Sequence, residues 1–178
     1  MIKYILSLVF FMMVITPAYA DKSVNCDHHP IYCQIIKNKP TIDKGFAMRL
    51  SNILYHASRK HNIPANIYTA ILMQESTYRL EAKNCHRGIL VDNVQKENIV
   101  KICSDFGISQ IYYKTAKLFE FSINQLTSDL EYSVEAGAIV LAEFHKRYSH
   151  REINWWTRYN SSTAVKRNIY RQLVEQYI

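Results

Sequence analysis

Glycine and proline are both scarce in this chain of 178 residues, at four each. So few obligatory turn sites disfavour an architecture of many short strands and favour long helices. Long apolar runs are missing after the first twenty residues, so nothing downstream reads as a membrane span of about 20 residues. There is no internal repeat and no low-complexity segment. Acidic residues are in deficit, 15 Asp plus Glu against 22 Lys plus Arg, for a formal charge of +7. That balance suits nucleic acid, an acidic membrane surface or an anionic polymer, and by itself selects none of them. What is present is ordinary for a packed protein: 48% apolar and 21% charged residues exclude a disordered or collagen-like chain. The length suits one domain.

The single apolar run sits at the N-terminus. Lys3 precedes an apolar stretch over residues 5–15, Pro17 breaks it, and Ala18-Tyr19-Ala20 supplies a small-x-small cleavage pattern. Residues 1–20 therefore read as a signal peptide cut after Ala20, the run being short for an uncleaved anchor. Export to the periplasm or the medium leads us to expect no nucleic-acid partner despite the charge. All four cysteines, Cys26, Cys33, Cys85 and Cys103, fall in the exported part, and an even count in an oxidising compartment reads as two disulfides. Three connectivities exist; proximity along the chain favours Cys26–Cys33 and Cys85–Cys103. Cys26 with His28 and His29 matches no regular zinc spacing, so neither a metal nor a cofactor is expected.

Residues 21–44 mix Asp, His, Asn, Lys and Pro and read as an irregular N-terminal arm. Helical spacing then begins: Phe46, Leu50, Ile53, Leu54 and Ala57 predict a helix over 45–61. Pro64 opens a second over 65–76, with Ile67, Ala70 and Ile71 on one stripe. Residues 79–106 are polar and broken and read as a long loop of the kind that often carries function. A short helix is predicted over 113–121, and a turn led by Ser122 or Asn124 follows. Leu130, Val134, Ala138, Leu141, Phe144 and Tyr148 make the strongest helical stripe, capped by Asp129 or Ser128. A loop over 149–162 carries Trp155, Trp156 and Tyr159, and a last helix places Val165, Ile169, Leu173 and Tyr177 on one face. The fold class is mainly α.

Glu75 continues the apolar stripe of the second helix, at i+4 from Ile71 and i+8 from Ile67. It also lies near that helix's C-terminus, where the partial negative charge opposes an ionised carboxylate. Burial and dipole act together to raise its pKa, the condition for a carboxylic acid that can donate a proton near neutral pH. Periodicity alone equally admits a Glu that merely hydrogen-bonds the following loop.

The neighbouring letters add to this. Gln74-Glu75-Ser76-Thr77-Tyr78, Gly107-Ile108-Ser109-Gln110-Ile111 and Tyr159-Asn160 follow one another in order. The set resembles the soluble lytic transglycosylases, whose fold is similar to goose-type lysozyme. Their marks are a Glu-Ser pair closing a helix, a Gly-x-x-Gln-Ile segment and a Tyr-Asn near the end. Tyr170, followed by Val174, resembles the further Tyr of that family's last helix. The resemblance spans roughly 45–177 and implies a single lysozyme-like helical domain over 45–178.

By that resemblance Glu75 is the one catalytic acid and base, and Ser76 positions substrate or carboxylate. Gly107, Ile108, Ser109, Gln110 and Ile111 line a sugar groove, with Gln110 beside the scissile bond. Tyr159 and Asn160 flank Glu75 and hold an N-acetyl group, and Tyr170 orients Glu75. The substrate implied is the peptidoglycan glycan strand, cleaved between N-acetylmuramic acid and N-acetylglucosamine with formation of a 1,6-anhydromuramoyl end. Tyr159, Tyr112, Tyr113, Trp155 and Trp156 could supply stacking surface and hydrogen bonds, or the tryptophans could be core. Asp92, Glu97 and Asp105 lie in the long loop, and nothing in the sequence aims one of them at Glu75. Two departures stand out: Gln110 follows Glu75 by 35 residues, and Ser161-Ser162 stand where many members have a small residue and Gly. With the small size, these are similar to the specialised members that serve secretion, conjugation or pilus machines. A lysozyme-type hydrolase and a wall-binding assembly protein that lost turnover are the competing readings.

Overall fold

The structure, a computed structural model, describes residues 25–91 and 97–178. The signal-peptide reading of residues 1–20 lies outside them. Among the described residues, seven α-helices and one small sheet follow in the order α1 (Pro30–Asn38), α2 (Lys44–His61), α3 (Ala65–Ser76), β1 (Lys83–Val91), β2 (Glu97–Phe106), β3 (Ile111–Tyr112), α4 (Tyr113–Leu118), α5 (Ile123–Ser128), α6 (Leu130–Tyr148), a 3-10 turn (Trp155–Tyr159) and α7 (Ala164–Glu175). The protein is mainly helical, a single lysozyme-like helical domain. No helix among the described residues is long and apolar enough to cross a membrane.

Helix α3 is the centre of the molecule. Tyr68, Thr69, Ala70, Ile71 and Leu72 are all buried, so it is covered on every side, as an all-round apolar helix must be. Ile67, expected on its buried stripe, is only half-buried. Helices α1, α2 and α7 pack against α3, and α6 packs against α2 and the 3-10 turn. Leu50 and Leu54 of α2, Val134 and Leu141 of α6 and Val174 of α7 complete one core with Ile108. Local chemistry sets the helix ends. The Asp43 carboxylate accepts from the Phe46 amide at 2.7 Å to start α2. Asn62, with φ of 52°, closes it in the left-handed conformation. Asp129 caps α6 by accepting from the Tyr132 amide at 3.1 Å.

Three expectations need correction. The arm over 21–44 is irregular only in part: Pro30 opens α1, which buries Ile31, Tyr32 and Ile35 against α2 and α3. Nine residues hold too few apolar positions to announce a period. The supposed loop over 79–106 contains β1 and β2, paired antiparallel from Lys83↔Phe106 to Val91↔Glu97, with β3 added through Asp105↔Tyr112 and Phe106↔Ile111. On α7 the stripe Val165, Ile169 and Leu173 faces solvent, and Tyr170 and Val174 make the buried face.

Both disulfides join the pairs nearest in sequence, Cys26–Cys33 and Cys85–Cys103. The first takes Cys26 away from any metal set with His28 and His29. The second joins directly opposed residues of β1 and β2 and closes a loop of 18 residues. Chain-entropy arguments give such a closure roughly 3 kcal/mol. Selective reduction of Cys85–Cys103 is therefore expected to lower the melting temperature and loosen substrate binding, while far-UV circular dichroism keeps its helical signal. Unchanged melting on reduction would show the bond to be idle.

Candidate active site

Glu75 is placed by the end of α3. Thr77 and Tyr78 adopt left-handed backbone, φ of 54° and 59°, and stop the helix at Ser76, one residue after Glu75. The Glu75 side chain, half-buried, enters a groove made of two adjoining cavities that share Glu75, Asp105, Gln110 and Asn160. The first, about 370 Å³, is completed by Ile111 and Tyr112 of β3, Thr115 of α4, Val140 and Phe144 of α6, and Tyr159. The second, about 360 Å³, is completed by Arg79, Ala82, Lys83 and Asn84.

The carboxyl has a donor behind it. The Tyr170 hydroxyl of α7 donates to Glu75 Oε1 at 2.6 Å. Burial pushes the Glu75 carboxyl up to about 7; the negative Asp105 acts in the same direction, and the Tyr170 hydrogen bond opposes them. The acid is thus about half protonated at neutral pH, and as pH rises above 7 the proton donor disappears. Activity is expected to fall along that limb. Tyr170→Phe removes a hydrogen bond that favours the ionised form, so its limb is expected at higher pH, with kcat reduced by roughly tenfold from lost orientation. A pH–rate profile checks this, and a limb that stays in place would show that Tyr170 does not act on Glu75.

The turn between β2 and β3 is a clasp. Gly107 has φ of 76°, and its amide donates to the Ala82 carbonyl at 2.9 Å. Gln110, itself left-handed at φ of 46°, donates from Nε2 to the carbonyls of Ala82 at 3.0 Å and Gly107 at 2.8 Å. Its amide nitrogen is thereby committed to the backbone, and its oxygen is the atom left for the groove. Ser109 lies beneath: its hydroxyl donates to the Ser133 carbonyl at 3.0 Å and meets the Tyr68 hydroxyl at 3.2 Å. The Tyr68 hydroxyl in turn donates to the Val134 carbonyl at 2.6 Å. Tyr159 donates to the Ser109 carbonyl at 2.6 Å, which ties the 3-10 turn to the clasp.

The residues singled out from sequence therefore divide. Glu75, Gln110, Ile111, Tyr159 and Asn160 meet in the groove. Gly107, Ile108 and Ser109 do not line it; the latter two are fully buried and hold the turn from below. Ser76 is also buried, and its hydroxyl donates to the Leu72 carbonyl at 3.1 Å, away from the groove. Tyr170 stands behind Glu75 and does not line either cavity. Trp155 and Trp156 are core residues. Of the tyrosines considered for stacking, Tyr112 and Tyr159 line the groove, whereas Tyr113 does not.

Nothing in the sequence aims Asp105 at Glu75, yet the structure brings it into both cavities beside that residue. Its Oδ2 accepts from Asn84 Nδ2 at 3.1 Å and from the Ser104 hydroxyl at 2.6 Å, so the carboxylate is held in place. Its position two residues before Gly107 was the available signal. Arg79, Lys83, Thr115, Val140 and Phe144 carried none, because they reach the groove only through the tertiary fold.

The family model described as the transglycosylase SLT domain matches residues 52–175, a span that holds every groove residue named above. Compared with curated proteins, the chain has no match. The chain belongs to the transglycosylase SLT domain family, whose activity is of the peptidoglycan lytic transglycosylase type and is exercised outside the cytoplasm.

Proposed function

We propose that this groove cleaves the β-1,4 bond between N-acetylmuramic acid and N-acetylglucosamine by internal transfer. The observation that supports it most is the Glu75 carboxyl, raised to about 7 at the junction of the two cavities and hydrogen-bonded by Tyr170. Protonated Glu75 gives its proton to the bridging oxygen as the bond from that oxygen to C1 breaks. The acetamido oxygen of the same muramic acid shares the positive charge left at C1. Ionised Glu75 then takes the proton of the C6 hydroxyl, whose oxygen bonds to C1 and displaces the acetamido oxygen. Glu75 ends protonated, no water is consumed, and the product carries a 1,6-anhydro end. Gln110, Tyr159 and Asn160 would hold the reacting sugar.

A second reading rests on Asp105. A fixed carboxylate in the same groove could hold a water molecule as base, and the enzyme would then be a hydrolase of the lysozyme type. Mass spectrometry of digested sacculi separates the two, since an anhydro end is lighter than a reducing end by one water. Anhydro products that persist in Asp105→Asn support transfer; reducing ends that vanish in Asp105→Asn would establish hydrolysis. We also propose export through a cleaved leader and service to an envelope machine for secretion, conjugation or pilus assembly. The 35-residue spacing between Glu75 and Gln110, filled by the disulfide-bonded hairpin, supports such a specialised role. Loss of that machine's assembly in cells carrying Glu75→Gln is the test.

A further inference from the structure

We propose that Arg79 and Lys83 form a carboxylate-binding subsite in one half of the groove, which selects glycan strands by the anionic substituent on muramic acid. The inference rests on the glycan-cleaving reading of Glu75.

The groove is lopsided across Glu75. One half is walled by Ile111, Tyr112, Val140 and Phe144, surfaces suited to the apolar faces of sugar rings. The other half has none of these and instead presents Arg79 and Lys83. The Arg79 guanidinium spends Nε on the Ser76 carbonyl at 3.1 Å, which leaves its two terminal nitrogens for a ligand. Among the described residues neither cation lies within ion-pair distance of a carboxylate. The two acids facing the same space are otherwise engaged: Glu75 is bonded by Tyr170, and Asp105 is held by Asn84 and Ser104.

Both cations also stand on fixed backbone. Arg79 follows the left-handed pair Thr77 and Tyr78, and its amide donates to the Ser76 carbonyl at 3.2 Å. Lys83 begins β1 opposite Phe106. Between them, the Ala82 carbonyl receives the Gly107 amide and Gln110 Nε2, so the cationic wall and the clasp beside Glu75 move as one.

A chain of N-acetylated sugars offers hydroxyls and neutral amides, for which two unpaired cations are ill matched. Muramic acid is the sugar that differs, through the lactyl group on its O3. That group ends in a free carboxylate when the peptide stem is removed, and otherwise carries the stem with its own carboxylates. Arg and Lys recognise both through charge-assisted hydrogen bonds.

The test uses soluble glycan strands in four forms: with stems, stripped by an amidase, and each of these two with carboxylates converted to amides by carbodiimide and ammonia. For the parent enzyme, amidation is expected to raise KM roughly fivefold to tenfold with kcat little changed, the signature of lost ground-state binding by exposed charges. The double variant Arg79→Gln, Lys83→Gln is expected to show that rise on native strands and none further on amidated ones. Sensitivity that survives stripping assigns the contact to the lactyl carboxylate; sensitivity lost on stripping assigns it to the stem. A parent indifferent to amidation, or a double variant equally impaired on native and amidated strands, overturns the subsite. Cleavage of amidated strands by the parent would leave the glycan-cleaving reading standing in that event; the absence of both anhydro and reducing-end products from every substrate would remove that reading itself.

Discussion

Glu75→Gln is expected to lower turnover by 10⁴-fold or more while leaving the protein folded and able to hold glycan strands. Positioned acid–base catalysis contributes about 10²–10⁴-fold, and here one carboxyl makes both proton transfers. The amide keeps the shape, and its oxygen can still accept from Tyr170, yet it has no proton to give to a leaving oxygen and cannot take one from C6. The same substitution is expected to stabilise the fold, in a pH-dependent way that identifies the cause. An unfolded Glu ionises near 4.5, the folded one near 7, so folding holds a proton that the unfolded chain has released. Parental stability therefore falls as pH rises from about 4.5 to about 7. By pH 8 the ionised carboxyl costs on the order of 3 kcal/mol, which Gln avoids. Melting curves at pH 4.5 and pH 8 should show a gain only at the higher value. A Gln variant that turns over at the parental rate, or melts identically at both pH values, would reduce Glu75 to a structural residue.

That residue was legible because several local signals coincide. Pro64 fixes the start of α3, its apolar letters keep the whole helix inside, and Glu75 is the acid at the buried end. The rest of the groove was less legible, for a physical reason. Periodicity says which residues share a face but not which face meets a neighbour. Val165, Ile169 and Leu173 do share one side of α7, yet that side is exposed while Tyr170 and Val174 pack inward. Motif membership has a similar limit. Ser76, Ile108 and Ser109 stand beside groove residues in sequence, but their atoms point into the scaffold, where Ser109 joins Tyr68, Ser133 and Tyr159 in one hydrogen-bonded support. The hairpin strands show no clean alternation of apolar and polar letters, so the sequence of β1 and β2 reads as loop. With that hairpin went Asp105, whose place beside Glu75 depends on β2 pairing with β1 and β3.

The largest effect on stability is expected from Gly107→Ala. Gly107 sits at φ of 76°, a conformation that any Cβ strains by roughly 1–2 kcal/mol. Space is the larger obstacle. A Cβ built there would lie 2.1 Å from the Leu126 carbonyl oxygen, 2.9 Å from its carbon and 2.5 Å from Ser133 Oγ. The serine hydroxyl could rotate, but the Leu126 carbonyl is backbone at the end of α5 and Leu126 is itself fully buried, so it cannot withdraw without unpacking α5 from α6. Strain and clash together place the cost at about 4 kcal/mol or more, a large part of the 5–15 kcal/mol that holds a domain together. The variant is expected to be recovered in low yield or to melt far below the parent. Any folded fraction should also lose activity, because the Gly107 amide and carbonyl anchor the turn to Ala82 and to Gln110 Nε2. Gly45→Ala is the matching control: in the first turn of α2 its nearest contact would be Asp43 Oδ1 at 3.3 Å, the tip of a side chain, and its melting temperature should stay within a few degrees of the parent. Were Gly107→Ala to melt as the control does, the clasp would have to be looser than this backbone allows, and the fixed placement of Gln110 beside Glu75 would lose its explanation.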